Sequence, residues 1–194
     1  MDLDEQPIGL QVYELKIELL DIEPTIWRNV LVPGSITLAK LHDVIQAAIG
    51  WTNSHLHEFI VGADSYSDPE FEIDGAKSEY RYRLARLAPR VRNTIAYEYD
   101  FGDGWEHQIR VERIIEEDKR YPGRPICIEG QRHGPPEDCG GSGGYQTFLE
   151  AIRNKKHERH KEFLNWIGGS FYPEFFDLHE VNSRLRAIDL RPRW

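Results

Sequence analysis

The stretch from Ile95 to Glu112 constrains the fold more than any other, because its side chains alternate in character twice around a Gly-Asp-Gly break. Ile95, Tyr97, Tyr99 and Phe101 alternate with Ala96, Glu98 and Asp100. Beyond Gly102-Asp103-Gly104, Trp105, His107, Ile109 and Val111 alternate with Glu106, Gln108, Arg110 and Glu112. A period of two marks a half-buried strand, and two such runs around a turn signal read as a β-hairpin. A loop of Gly102 to Gly104 pairs Phe101 with Trp105, Tyr99 with His107 and Tyr97 with Ile109. That register places every aromatic and aliphatic side chain on one face. A two-residue loop would mix the faces, so the longer loop is expected, with Gly104 in the left-handed position.

The remaining segments extend this sheet and cover it. Tyr13, Leu15, Ile17 and Leu19 alternate with Glu14, Lys16 and Glu18, and after a turn at Pro24 a second strand runs from Trp27 to Val32. Thr37 is a candidate N-cap for a helix carrying Leu38, Leu41, Ile45, Ala48 and Ile49, stopped by Gly50. A third strand is expected over 55–61, and 62–79, rich in Asp, Ser and Glu, reads as loop. Helices are expected over 145–152 and 160–167. Asp177 followed by Glu180 resembles a capping box for a last helix with Val181 and Leu185. Strands first and helices last define an α+β protein. The expectation is one domain over residues 8–190: a mainly antiparallel sheet, an early helix, C-terminal helices packed on the sheet, and a short acidic tail at 1–7.

Charge narrows the functional classes. The net charge is −9. Residues 1–80 carry 15 acidic and 4 basic side chains, and residues 81–194 carry 18 and 20. Such a chain is repelled by a phosphate backbone unless a local basic patch intervenes. Arg81, Arg83, Arg86, Arg90 and Arg92 form one such candidate nucleic-acid patch, and Arg153, Lys155, Lys156, Arg159 and Lys161 another. The opening MDLDEQPIGL lacks a basic region followed by an apolar one, and no apolar run nears the roughly 18 residues that span a bilayer. With only Cys127 and Cys139, a disulfide framework is not expected. A cytoplasmic chain with reduced thiols and no membrane contact is the expectation.

Several segments together are similar to the plasmid pRiA4b ORF-3-like family. They are Ile26-Trp27-Arg28; Leu41-His42; Gly50-Trp51 with His55-Leu56-His57-Glu58-Phe59; the hairpin Tyr99 to His107; Pro135-Pro136-Glu137-Asp138-Cys139-Gly140-Gly141 with Tyr145; and Trp166, Pro173, Phe175, Asp177 and Val181-Asn182. The likeness spans about residues 10–185. It implies a single α+β domain and an association with plasmids and mobile elements, and brings no established reaction, substrate or cofactor. Many relatives carry a cysteine just before the Pro-Pro pair, where this chain has Gly134, which weakens a cysteine-based metal site.

The residues that carry chemistry fall into a few groups. Asp100-Phe101-Gly102 matches a kinase magnesium motif, but the Gly-rich loop, strand lysine and catalytic loop that accompany it are absent. A divalent metal is the candidate cofactor. His55 and His57, two apart on a strand, would share a face, and Asp100, Asp103, Glu137 and Asp138 would complete the ligands. Against this, His107 reads as a hydrogen-bonded core histidine and Asp103 as a turn residue. Cys127, His133 and Cys139 lack the paired spacing of a zinc knuckle. Gly140, Gly141, Ser142, Gly143 and Gly144 precede a helix and form either a flexible connector or an anion-binding loop. No diagnostic spacing forces an enzyme. The sequence thus favours a non-catalytic binding or accessory module over a metal-dependent hydrolase acting on phosphodiesters, and over a nucleic-acid-binding protein.

Overall fold

In the computed structural model, which describes residues 11–116 and 121–191, the N-terminal alternation forms β1 (Gln11–Leu19) and pairs antiparallel with β2 (Ile26–Pro33). The acidic tail expected at residues 1–7 lies outside the described residues. Helix α1 (Leu38–Ile49) follows, then β3 (His57–Val61), β4 (Asp64–Ser67), β5 (Lys77–Ser78) and a single turn of helix, α2 (Leu84–Leu87). The hairpin strands are β6 (Thr94–Tyr99) and β7 (Trp105–Glu116), and β8 (Ile126–Gln131) is the last strand. Helices α3 (Gly141–Arg153), α4 (His160–Trp166) and α5 (Leu178–Arg186) close the chain. The strands make one sheet in the order β5-β4-β3-β6-β7-β1-β2-β8, antiparallel except where β5 joins β4. An α+β fold with a mainly antiparallel sheet is therefore what the chain adopts.

Because β2 and β3 lie on opposite sides of the central strands β6, β7 and β1, α1 must cross the sheet to connect them, and every residue of it but Asp43 is buried. Thr37 accepts the Lys40 N–H at one end, and Gly50, at φ 105°, closes the other. The last turn of α1 then points its carbonyls at two arginines. Arg28 Nε donates to Ala48 O (2.9 Å), and Arg184 Nε donates to Ala47 O (2.8 Å). Cations at a helix C-terminus oppose its dipole favourably.

Arg28 is 2 % exposed. It also donates to the carbonyls of Trp27, Gln131 and Arg132 and lies against the Phe176 ring. Burial pulls its guanidinium down to about 10, still charged at neutral pH. Arg132, equally buried, grips both carboxylate oxygens of Glu174 at 3.0 Å and donates to Pro24 O. These two arginines fasten β2, β8 and the 172–176 segment together. The open edge of β8 is blunted by an amide. Cys127 N–H donates to Asn182 Oδ1 (2.9 Å), and Asn182 Nδ2 returns a bond to Cys127 O (2.8 Å), so α5 occupies the place of a further strand.

Three expectations need correction. The hairpin pairs Tyr99 with Trp105, Tyr97 with His107 and Ile95 with Ile109, a shift of two residues that keeps the faces but lengthens the loop to Asp100–Gly104. Asp100 leaves the strand because it turns left-handed (φ 57°), and its carboxylate accepts the N–H groups of Gly102 and Asp103. Phe101 is thereby expelled from the apolar face and is 40 % exposed. The 62–79 segment is not plain loop, since β4 and β5 build the sheet edge there and two 3₁₀ turns, Pro69–Phe71 and Glu79–Arg81, flank β5. The glycine run does not precede α3; Gly141 opens it.

Replacing Arg28 by Met would leave buried carbonyls without donors. The expected loss is about 3 kcal/mol or more of unfolding free energy in urea titration. A loss below about 1 kcal/mol would mean those carbonyls find other partners.

Candidate functional site

The loop Asp100–Gly104 places chemistry at one end of the hairpin. The Asp100 N–H donates to Leu56 O (2.9 Å), which brings the 53–56 segment alongside. A cleft of about 450 Å³ opens there, lined by Asn53, Ser54, His55, Leu56, Asp68, Phe71, Asp100, Phe101 and Gly102. No lysine or arginine is among these residues. Asp68 caps the turn that carries Phe71 and accepts from Tyr80 Oη (2.5 Å).

On the wall of the cleft, His55 Nε2 lies 3.1 Å from Asp138 Oδ1 and 3.6 Å from Asp100 Oδ2. One donor atom from each of His55, Asp100 and Asp138 falls within 4.8 Å of the others. Of the six residues read from the sequence as candidate metal ligands, these three converge; His57, Asp103 and Glu137 are occupied elsewhere.

His57 differs from His55 because β3 begins at His57, so no strand places the two imidazoles side by side. His57 stacks at 3.5 Å on His42, and its Nε2 sits 2.8 Å from Glu79 Oε2. Burial pushes His57 down to about 4, which keeps it neutral at pH 7. His42 is pinned too. Asn53 Oδ1 only accepts, so His42 Nε2 carries the proton and Nδ1 accepts from Tyr97 Oη. Gln46 Nε2 in turn donates to Tyr97 Oη, and Asn53 N–H donates to Gln46 Oε1. This buried chain of bonds fixes the strained Asn53 (φ 58°) at the cleft.

Glu137 is a clamp. It accepts from Tyr99 Oη (2.5 Å) and from the N–H and hydroxyl of Thr52. Burial and the Glu137 carboxylate raise the Tyr99 phenol well above its usual range, so it stays a donor. Asp103 points away from the cleft, to the start of α3, where its carboxylate accepts the Gly140 N–H (3.0 Å). A Cβ on Gly141 would meet Asp103 O at 2.2 Å, which explains a glycine there. The anion at this helix N-terminus is the protein's own Asp103, and Gly141, Ser142, Gly143 and Gly144 form the first helical turn.

Cys127, His133 and Cys139 form no cluster among the described residues. Burial pushes the two thiols up to about 11 and about 12, so both remain protonated. Arg81, Arg83, Arg86, Arg90 and Arg92 are all exposed along 81–92, with Arg83 donating to Ser35 O. The sequence reading missed Asn53, Ser54, Asp68 and Phe71. Thr52-Asn53-Ser54 and Asp68-Pro69 are turn signals, but nothing local says that the two turns face each other.

These features define an α+β protein whose sheet end carries a His-Asp-Asp cluster beside an acidic, part-aromatic cleft. The sequence profile of the plasmid pRiA4b ORF-3-like protein family matches residues 11–180, and the chain belongs to that family. It is 43 % identical over 167 residues to the uncharacterized protein y4hQ of Sinorhizobium fredii, covering 83 % of each chain. It also superposes, at a TM-score of 0.81 and 36 % identity, on the crystal structure of MM3350 from Methanosarcina mazei Go1, a protein of unknown function. That match covers 89 % of this chain and 98 % of the other. Among the described residues no helix is long and apolar enough to cross a membrane.

His107, buried opposite Tyr97, gives the site's support a pH dependence. Burial lowers it to about 4, partly offset by backbone bonds at Tyr97 and Trp105. An unfolded chain protonates this imidazole near 6.5, before the folded one does, so stability falls as pH drops from about 6.5 to about 4. The loss attributable to His107 is about 3 kcal/mol at full extent. Urea unfolding of wild type and His107→Phe at pH 7 and pH 4 checks it: between the two pH values wild type should lose about 3 kcal/mol more than the variant.

Proposed function

We propose that this protein is a binding or accessory module whose cleft recognises a cation. One observation carries the reading: the cleft and its wall combine Asp68, Asp100 and Asp138 with the rings of Phe71 and Phe101, and no lysine or arginine lines it. Carboxylates supply charge, and aromatic faces attract cations by their quadrupole. A volume of about 450 Å³ is within the range of small-ligand sites.

The experiment is thermal unfolding with Mn²⁺, Zn²⁺, Mg²⁺, spermidine or agmatine at matched ionic strength, with inorganic phosphate as the opposite charge. A cation at a hundred times its dissociation constant stabilises by about 2.7 kcal/mol, a rise of roughly 5–10 °C in Tm for a chain of this size. The rise should saturate and should vanish in Asp100→Asn. No saturable rise with any cation, or a rise with phosphate alone, refutes the reading.

A metal-dependent hydrolase is the second reading. An ion held at the wall by one imidazole and two carboxylates would keep positions open toward the cleft for water and a phosphoryl oxygen. Turnover of bis(p-nitrophenyl) phosphate with Mn²⁺ or Zn²⁺, lost in His55→Ala, is the outcome it requires; no turnover above buffer removes it.

A further inference from the structure

The geometry points to a specific occupant of the wall: we infer that His55, Asp100 and Asp138 bind one divalent transition-series ion, of the zinc or manganese kind. This rests on the cation reading above and names the cation. Ligands about 2.1 Å from a shared ion stand about 3.0–3.4 Å apart when adjacent, at right or tetrahedral angles. His55 Nε2 meets that spacing against Asp138 (3.1 Å) and comes close to it against Asp100 (3.6 Å).

The imidazole itself supplies a second line of argument. His55 Nε2 is shielded from solvent and close to two carboxylate oxygens, yet makes no hydrogen bond of acceptable angle with any described atom. An imidazole nitrogen set 3.1 and 3.6 Å from two carboxylate oxygens, with no hydrogen bond to either, fits an ion shared by the three groups.

The carboxylates are oriented in advance. Asp100 Oδ1 accepts from Gly102 N–H (3.1 Å) and Asp103 N–H (3.3 Å), which leaves Oδ2 turned toward His55. Asp138, left-handed at φ 59°, follows directly on Glu137, which Tyr99 and Thr52 hold in place. Such outer bonds fix ligand direction in metal sites. Three protein donors leave the cleft side open for water or a further ligand. One imidazole with two carboxylates suits zinc, manganese, iron or cobalt; calcium and magnesium prefer oxygen alone.

The test titrates the full chain, stripped with chelator and dialysed, with Zn²⁺ and separately with Mn²⁺ by isothermal calorimetry, alongside Mg²⁺ and Ca²⁺. His55→Ala and Asp138→Asn are measured in parallel. Asp138 is the most exposed of the three, with a side chain 70 % accessible, so its loss should leave the fold intact. Expected are one equivalent of Zn²⁺ or Mn²⁺, far weaker Mg²⁺ and Ca²⁺, and at least a 100-fold loss of affinity in either variant. Unchanged affinity in both folded variants overturns the assignment, as does preference for Mg²⁺ or Ca²⁺. If no metal binds but spermidine or agmatine still stabilises the protein, the metal site falls and the cation-binding cleft stands. If neither binds, both fall.

Discussion

The left-handed turn at Asp100 is the constraint on which both the fold and the site depend. It ends β6 two residues earlier than the alternation suggests, and its carboxylate holds the loop by accepting two backbone N–H groups. Its own N–H reaches Leu56, drawing the segment before β3 against the hairpin. Three residues on, Asp103 leaves the same loop in the opposite direction and anchors the start of α3. One five-residue loop therefore joins the sheet, the cleft and the C-terminal helices.

Beneath that loop the inner face of the hairpin is apolar in outline but threaded with polar groups. Tyr97, His42, Gln46 and Asn53 satisfy one another, Tyr99 is committed to Glu137 and Ser54, and His57 to Glu79. Buried groups arranged this way cost little when every partner is present and much when one is missing. Burial keeps His57 and His107 neutral. His55 sits at the boundary, deep enough for its nitrogen to be shielded and shallow enough to face the cleft. That position, more than residue type, separates it from His57 two residues later.

Two buried arginines and one half-buried one do comparable work at the far side. Arg28 and Arg184 take the carbonyls at the end of α1, and Arg132 clamps Glu174, so the helix that crosses the sheet and the segment leading into α5 share supports. From sequence Arg28 counted only as part of the family resemblance, and Arg132 and Arg184 only toward net charge. Their role needs the knowledge that β8 pairs with β2, a contact about a hundred residues apart in the chain.

Local physics decided much of this protein from the sequence alone. Alternation identified β1, β6 and β7, and Thr37, Gly50 and Asp177 marked helix ends by side-chain and backbone chemistry confined to neighbouring residues. Hydrophobic pattern is blind to a register shift of two, because such a shift preserves the faces; the five-residue loop followed instead from Asp100 bonding its own backbone. Likewise the candidate ligands could be collected by type, but not sorted. Which of them meet depends on where β3 starts, on Glu137 finding Tyr99 and Thr52, and on Asp103 finding Gly140. Those are contacts between distant segments, formed only when the sheet and helices have packed, and so only the tertiary structure could choose His55, Asp100 and Asp138.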